Sequence, residues 1–416
     1  MRKLFALALS AMLAASTLGG MTVSADSADV DFSNMKVGFI FLHDENSTYD
    51  LNFMNSAKAA AANLGLSEDQ IVMKVNIAEG EQCYETAADL ADSGCNIIFA
   101  DSFGHEDFMI EAAQEFPEVQ FCHSTGTRAH TEGLDNYHNA FASIYEGRYL
   151  AGVAAGKKLN AMIEEGKITE DQALIGYVGA FTYAEVISGY TSFFLGARSQ
   201  CPSATMKVTF TGSWYDETAE KEAANKLIQD GCVLISQHAD SMGAPTACEA
   251  AGVPDVSYNG STISVGPNSY IISSRIDWTP YYEHAITCAA KGEAIEADWT
   301  GTLATESVLL TELNDAVAAD GTQDAIDAAK AALEDGSLHV FDVSTFTVTV
   351  TDSSNVNATV DENGNLTSYM ADVDTDAAYE GDTEVVSDGY FHESEYRSAP
   401  YFDLQIDGIE LLDTSF

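Results

Sequence analysis

Polar side chains gather where apolar, strand-like runs end, and those are the places where this sequence could do chemistry. After the run at residues 36–42 comes His43-Asp-Glu-Asn-Ser-Thr-Tyr-Asp-Leu-Asn52, ten residues of which only Leu51 is aliphatic. Ser47 or Asp50 fits the cap of a following helix. The same groups around Tyr49 fit a pocket that stacks a flat polar ligand and hydrogen-bonds its edge. Asp101-Ser-Phe-Gly-His-Glu106 repeats that mixture, with Ser102 as cap or donor, Phe103 as a stacking face and Gly104 allowing close backbone approach. Short polar segments also follow at His123-Ser-Thr-Gly126, Gly179-Ala-Phe-Thr-Tyr183, Gly212-Ser-Trp-Tyr-Asp216 (which holds Trp214) and Gln237-His-Ala-Asp-Ser241. Gln237 and Asp240 in the last of these are hard to explain as packing. A metal held by His238 and Asp240 is disfavoured, because no further donors stand at ligand spacing. Arg275, in Arg275-Ile-Asp-Trp278, is either a surface ion pair or a fork onto a ligand oxygen.

These groups sit in a frame that alternates strand-like and helix-like segments. Compact apolar runs at 36–42, 71–77, 96–100 and 119–122 each precede a helical or polar segment, and 140–144 closes the set. The cycle restarts at Leu174-Ile-Gly-Tyr-Val178 and repeats through 206–210, 232–236, 255–258 and 270–275. Such order implies α/β architecture with parallel, doubly wound sheets. Ligands of open α/β sheets sit outside the carboxyl ends of the strands. Two lobes facing each other therefore turn all the polar strand ends onto one cleft.

The expected division is lobe I at 35–143, with 268–300 returning to it, and lobe II at 144–267. A C-terminal helix at 311–333 and a β-rich extension complete the region 305–416, packed on lobe II. In that extension Thr345-Phe-Thr-Val-Thr-Val350 alternates as a strand does, and Asp361-Glu-Asn-Gly364 reads as a tight turn. Residues 400–406 and 409–412 read as closing strands. Asp372-Val-Asp-Thr-Asp376 lacks the turn glycine of a calcium loop and reads as a solvated acidic loop.

Composition narrows the function classes. With 65 acidic and 18 basic residues the formal charge is −47, which repels nucleic acid and anionic lipid. An apolar fraction of 46% and an aromatic fraction of 10% argue for packed cores rather than disorder. Seven cysteines leave at least one thiol unpaired within the chain, and none forms a C-x-x-C. No G-x-S-x-G, H-E-x-x-H, Walker A or G-x-G-x-x-G occurs. Catalysis, a cofactor and a resident metal are accordingly not expected. At the start, Arg2 and Lys3 precede an apolar run ending at Leu18, and Val23-Ser-Ala25 follows. That is the pattern of a signal peptide over 1–25 and of a secreted, extracytoplasmic protein. The first cysteine is Cys83, so no lipoprotein cysteine follows the apolar run.

Taken in order, several fragments resemble one family. They are Val37-Gly-Phe-Ile with Ser47-Thr-Tyr-Asp50, Tyr145-Glu-Gly-Arg-Tyr-Leu-Ala-Gly152, Ile175-Gly-Tyr-Val, Gly212-Ser-Trp214, Gln237-His-Ala-Asp-Ser241, and Ile276-Asp-Trp with Tyr281-Tyr282. From about 36 to 282 the sequence resembles the basic membrane protein (Bmp, PnrA-like) solute-binding proteins of ABC importers, within them the Med-like branch. The resemblance implies a type I periplasmic-binding fold, ABC permease subunits as partners, a monomer, and a purine nucleoside or nucleobase as ligand. By position it makes Tyr49 and Phe103 or Phe181 stacking candidates. Asp44, Ser102, Gln237, Asp240, Asn259 and Arg275 become polar candidates. Departures from the nucleoside-binding members include Ser47-Thr-Tyr-Asp50 in the first loop, Asn259 at the acidic ribose position, and a longer tail after Val343.

Overall fold

A computed structural model describes residues 30–373 and 383–413. The expected signal peptide and the Asp374-Thr-Asp376 part of the acidic loop lie outside the described residues.

Lobe I is built from β1 (Val37–Ile40), α1 (Thr48–Leu64), β2 (Ile71–Lys74), α2 (Glu81–Asp92), β3 (Ile97–Ala100), α3 (Glu106–Glu115), β4 (Gln120–Ser124), α4 (Ala129–Glu132) and β5 (Tyr137–Ala142). Every residue of β1 and β3 is buried, as expected of strands covered by helices on both faces. Phe39 stacks on Phe99 at 5.2 Å between ring centres, so aromatic packing locks the two central strands together.

Lobe II repeats the plan with α5 (Ile144–Glu164), β6 (Leu174–Gly179), α6 (Ala184–Gln200), β7 (Thr205–Phe210), α7 (Glu217–Gln229), β8 (Leu234–His238), α8 (Gly243–Ala251), β9 (Asp255–Tyr258) and β10 (Tyr270–Ile276). The chain then crosses back through α9 (Thr279–Lys291) and β11 (Asp298–Gly301), and returns as β12 (Val308–Leu310). Strand order is β11-β5-β4-β3-β1-β2 in one sheet and β12-β10-β9-β8-β6-β7 in the other, and the second is extended at the β7 edge by a C-terminal strand. Three connections join the lobes, after β5, β10 and β11. This is the expected α/β architecture of two doubly wound lobes, with additional C-terminal strands.

Several local expectations need correction. Residues 268–300 do not all return to lobe I: β10 pairs with β9 and β12 in the lobe II sheet, and only α9 and β11 join lobe I. The helix expected over 311–333 is α10 (Thr322–Glu334) alone. Upstream of it, Thr311 and Asn314 donate backbone N–H groups to Ser273 and Ile271 of β10, and these tertiary bonds override local helix preference. Residues 345–350 form no ladder, although their alternation is real: Phe346 and Val348 are buried while Thr347 and Thr349 donate to Asp407.

In the extension, β13 (Ala358–Val360) and β14 (Leu366–Ala371) form a hairpin around the expected turn, and β15 (Thr383–Glu384) adds to β14. A two-stranded ribbon follows as β16 (Val386–Ser387) and β17 (Tyr390–Phe391). Residues 400–406 are irregular rather than a strand. Phe402, Leu404 and Ile406 nevertheless enter the same core as Phe193 and Phe194 of α6, so the extension is part of lobe II. Finally β18 (Ile409–Leu411) runs parallel to β7 and covers that sheet edge.

α5 and α6 touch backbone to backbone. A Cβ built on Gly152 would stand 2.0 Å from the Phe193 carbonyl oxygen, and one on Gly196 would stand 2.0 Å from that of Tyr149. Gly196→Ala is expected to lower stability by about 1–3 kcal/mol through forced separation of these helices. An unchanged denaturant midpoint would refute the close-contact account.

Candidate functional site

The cleft lies where both sheets end, and its lobes meet directly. Thr48 at the start of α1 donates its backbone N–H to the Asp240 carbonyl at 3.1 Å, and Asn52 donates to the Asn259 carbonyl at 2.7 Å. Between the lobes lies a narrow cavity with about 350 Å³ of space between atoms, part of it open to solvent. Of the residues singled out from sequence, Tyr49, Asp50, Ser102, Phe103, Trp214 and Asp240 line it. Leu42, His43, Thr125, Glu185, His238 and Tyr258 complete the wall.

The loop after β1 is fixed by its own hydrogen bonds. Ser47 caps α1 by accepting from the Asp50 backbone N–H, and its hydroxyl donates to the Asp50 carboxylate at 2.6 Å. His43 donates its backbone N–H to Asp50 at 2.7 Å. Burial works against the Asp50 charge, but the His43 and Ser47 bonds outweigh it and hold this carboxyl below its usual range. Tyr49 donates its hydroxyl to the Asp101 carbonyl, which anchors one ring on the lobe I wall. Asp101 itself is buried behind it. Burial, and then the neighbouring Asp50 charge, push its carboxyl well above the usual range.

Lobe II contributes the opposite wall. Asp240 is buried, accepts from Asn259 at 3.3 Å, and is held well above its usual range by burial and then by Asp50, Glu220 and Glu185. Asn259 takes a left-handed backbone with φ of 64°, which turns its amide back onto Asp240. His238 is kept neutral by burial, with Nε2 at 3.5 Å from Glu185. The buried Tyr258 hydroxyl has no hydrogen-bond partner among the described residues.

Aromatic faces come from both sides. Phe103 of lobe I meets Tyr183 of lobe II at 5.1 Å, Phe181 stacks on Tyr183 at 5.0 Å, and Trp214 stands edge-on to Phe181 at 5.1 Å. Phe181 is thus a backing ring rather than a wall.

Other sequence candidates fall outside the cavity. Asp44 accepts from Asn46 and shapes the turn before α1. The Gln237 amide donates to the Ala239 and Ser241 carbonyls and fixes the loop after β8. Arg275 does not line this cavity. It pairs with Asp277 at 3.6 Å in a separate groove beside Asn52 and Ser56. This placement fits the surface-pair reading of Arg275, which lies on β10 in the lobe II sheet. Sequence reasoning passed over Tyr258 and Glu185. The former closes a strand already read as such, and the latter stands two residues beyond the quoted Gly179–Tyr183 loop.

With this geometry in view, residues 37–342 match the Bmp family, ABC transporter substrate-binding protein PnrA-like. The chain belongs to the Bmp family. A purine-binding protein of Brucella abortus is 32% identical over 274 residues, covering 65% of this chain and 72% of that one. A putative ABC transporter glucose-binding protein of Haloferax volcanii is 37% identical over 212 residues, and the chain spans half of its length. Solved solute-binding proteins of ABC transporter systems share the fold. The one from Aeropyrum pernix K1 has a TM-score of 0.62 at 15% identity, over 77% of this chain and 94% of that one. The one from Conexibacter woesei has 0.59 at 21%, over 73% and 98%. Bmp proteins are extracytoplasmic solute receptors that work with ABC permeases and are not enzymes. Among the described residues of this Bmp protein no helix is long and apolar enough to cross a membrane. All seven cysteines are buried free thiols.

The buried Asp240 generates a prediction about the unliganded protein. A raised folded value means that its contribution to stability is fully present below the unfolded value of about 3.9 and is lost as pH rises towards the folded value. Asp240→Asn keeps an acceptor for Asn259 and removes that loss. The variant is expected to melt higher than the native protein at pH 7, by roughly 1.4 kcal/mol for each pH unit spanned between the two values. The gap should close near pH 4. Equal melting temperatures at both pH values would show that Asp240 carries no burial cost.

Proposed function

We propose that this Bmp protein is the receptor of an ABC importer for a purine nucleobase or nucleoside. The observation that carries the reading is the pairing of aromatic faces from both lobes with acceptor groups at their edge. Phe103 and Tyr49 offer faces from lobe I and Trp214 from lobe II, while Asp50, Asp240 and Glu185 stand around them. A purine has two π-faces to stack and ring and exocyclic N–H groups to donate, which suits that arrangement. No Lys or Arg lines the cavity, so a strongly anionic ligand lacks a counter-charge there. The Brucella relative, named a purine-binding protein, supports the reading.

One observation favours a second reading. The Haloferax relative is named as glucose-binding, and stacking rings beside carboxylates also suit a sugar, whose hydroxyls donate and whose C–H face is apolar. Thermal unfolding separates the two. A ligand at a hundredfold excess over its Kd stabilises the folded chain by about 2.7 kcal/mol. Hypoxanthine, adenine, inosine or adenosine is expected to raise Tm accordingly. A rise with D-glucose and none with any purine would replace the purine reading by the sugar one.

Phe103→Ala is expected to weaken purine binding by roughly 1–3 kcal/mol, the usual worth of a base–aromatic stack, with apo Tm little changed. Calorimetric titration of the variant checks this. Unaltered affinity would assign Phe103 to closing the cleft rather than to gripping the ligand.

A further inference from the structure

The C-terminal extension is rooted in lobe II on both sides of one loop. Before the loop, the buried Glu393 carboxylate accepts from the Ser188 hydroxyl of α6 at 2.5 Å. After it, Phe402, Leu404 and Ile406 enter the lobe II core, and Gln405 accepts from the Tyr190 hydroxyl of α6 at 2.9 Å. Between those roots the chain reaches lobe I. Ser398 donates its backbone N–H, at 2.9 Å, and its hydroxyl, at 2.7 Å, to one oxygen of Asp298 at the start of β11. The other Asp298 oxygen bonds His130 of α4 at 3.1 Å. Ser398 is fully buried. The loop that presents it is braced from within. The Arg397 side chain donates to the carbonyls of Ala399, Pro400, Asp372 and Val373, and the Tyr401 hydroxyl receives the Glu395 and Tyr396 N–H groups while donating to the His392 carbonyl.

We infer that residues 392–401 are a strap that fastens lobe II to lobe I across the hinge and holds the cleft shut, with the Ser398–Asp298 pair as its clasp. The three covalent crossovers lie side by side: Ser143 donates its N–H to the Gly301 carbonyl at 2.8 Å, and Asp277 donates to the Ser307 carbonyl at 2.7 Å. They therefore make one hinge rather than separate pillars. Asp298 stands three residues before Gly301, about 10 Å along the strand at ~3.3 Å per residue. At that distance a hinge rotation of roughly 20° shifts it by about 3.5 Å against lobe II, more than a hydrogen bond tolerates. Clasp and closure occur together here, since the cleft is also bridged by the Thr48–Asp240 and Asn52–Asn259 bonds. Burial opposes the Asp298 charge, but the His130 and Ser398 bonds outweigh it and hold the carboxyl below its usual range. Both clasp bonds thus end on an ionised acceptor, which makes them stronger than neutral pairs. The family match ends at residue 342, so the lobe II half of the clasp lies beyond it.

The strap does not depend on which ligand the cleft takes, so the test uses the unliganded full chain. Trp214 lines the cavity and Trp278 is buried in the lobe I core, so in a Trp299→Phe background acrylamide quenching of tryptophan fluorescence reports on the cleft. In that background Asp298→Ala is expected to raise the quenching constant at least twofold. It should also enlarge the radius of gyration measured by small-angle X-ray scattering, with circular dichroism unchanged. Ser398→Ala, which keeps the backbone bond, should give a smaller rise in both. Asp298→Asn, which keeps an acceptor for Ser398, should stay near the native values. Native quenching and radius in folded Asp298→Ala overturn the strap. So does a rise in quenching without expansion, which marks local loosening around Trp214. An Asp298→Asn variant as open as Asp298→Ala assigns the effect to the lost charge and overturns the clasp. Should Asp298→Ala fail to fold, Ser398→Ala decides alone, and no rise in either quantity sinks the inference.

Discussion

One buried guanidinium organises the half of the molecule that shapes the cleft. Arg148 of α5 is fully buried and donates to the Tyr177 and Ser236 hydroxyls, the Ser257 and Gln237 carbonyls and the Ser274 hydroxyl. Those partners belong to β6, β8, β9 and β10, so a single side chain ties four adjacent strands. No salt bridge offsets its charge among the described residues. Aromatic faces do part of that work, with Phe193 at 4.9 Å and Tyr258 at 5.3 Å. Burying an unpaired cation is expensive, so its hydrogen bonds must hold their geometry closely. The Tyr258 ring lies tilted over His238 at 4.2 Å and both line the cavity, so that wall inherits the order that Arg148 imposes.

Across the cleft the balance is reversed, since acids crowd where no Lys or Arg lines the cavity. The Asp50 charge acts on both Asp101 and Asp240, and it stays on Asp50 while burial discourages charge on the other two. Such crowding costs stability in the empty protein and supplies acceptors to whatever enters. Neighbouring polar groups only position these acids: Ser47 and His43 hold Asp50, and Asn259 holds Asp240. This division of labour explains why Ser47, Gln237 and Asn259 lie behind the surface of the cavity rather than on it.

Much of this was legible in the order of residues. Buried runs such as Val37–Ile40 announced the parallel sheets. The rule that ligands sit at strand ends placed Tyr49, Phe103 and Asp240 at the cleft. Three things were not legible. Arg275 occupies the returning strand, and only pairing with β9 and β12 shows which sheet that strand joins. Ala316 to Ala319 reads as helix, yet Asn314 commits its backbone to β10 before a helix can form. Tyr258 has an ordinary strand-end sequence, and its exposure to the cavity depends on packing over Arg148. Each failure is one of long-range pairing, which local patterns do not encode.

The position of β18 carries a further consequence for how the chain acquires its shape. Lobe I needs nothing beyond β11 to complete its sheet, whereas the lobe II sheet has an open edge on β7 until Ile409–Leu411 arrives. Its core also waits for Tyr401, Phe402, Leu404 and Ile406. During synthesis the first lobe can therefore close while the second remains an unfinished, sticky sheet. The lobe II core and sheet edge are thus completed only by residues 401–411, the last part of the described chain to be made.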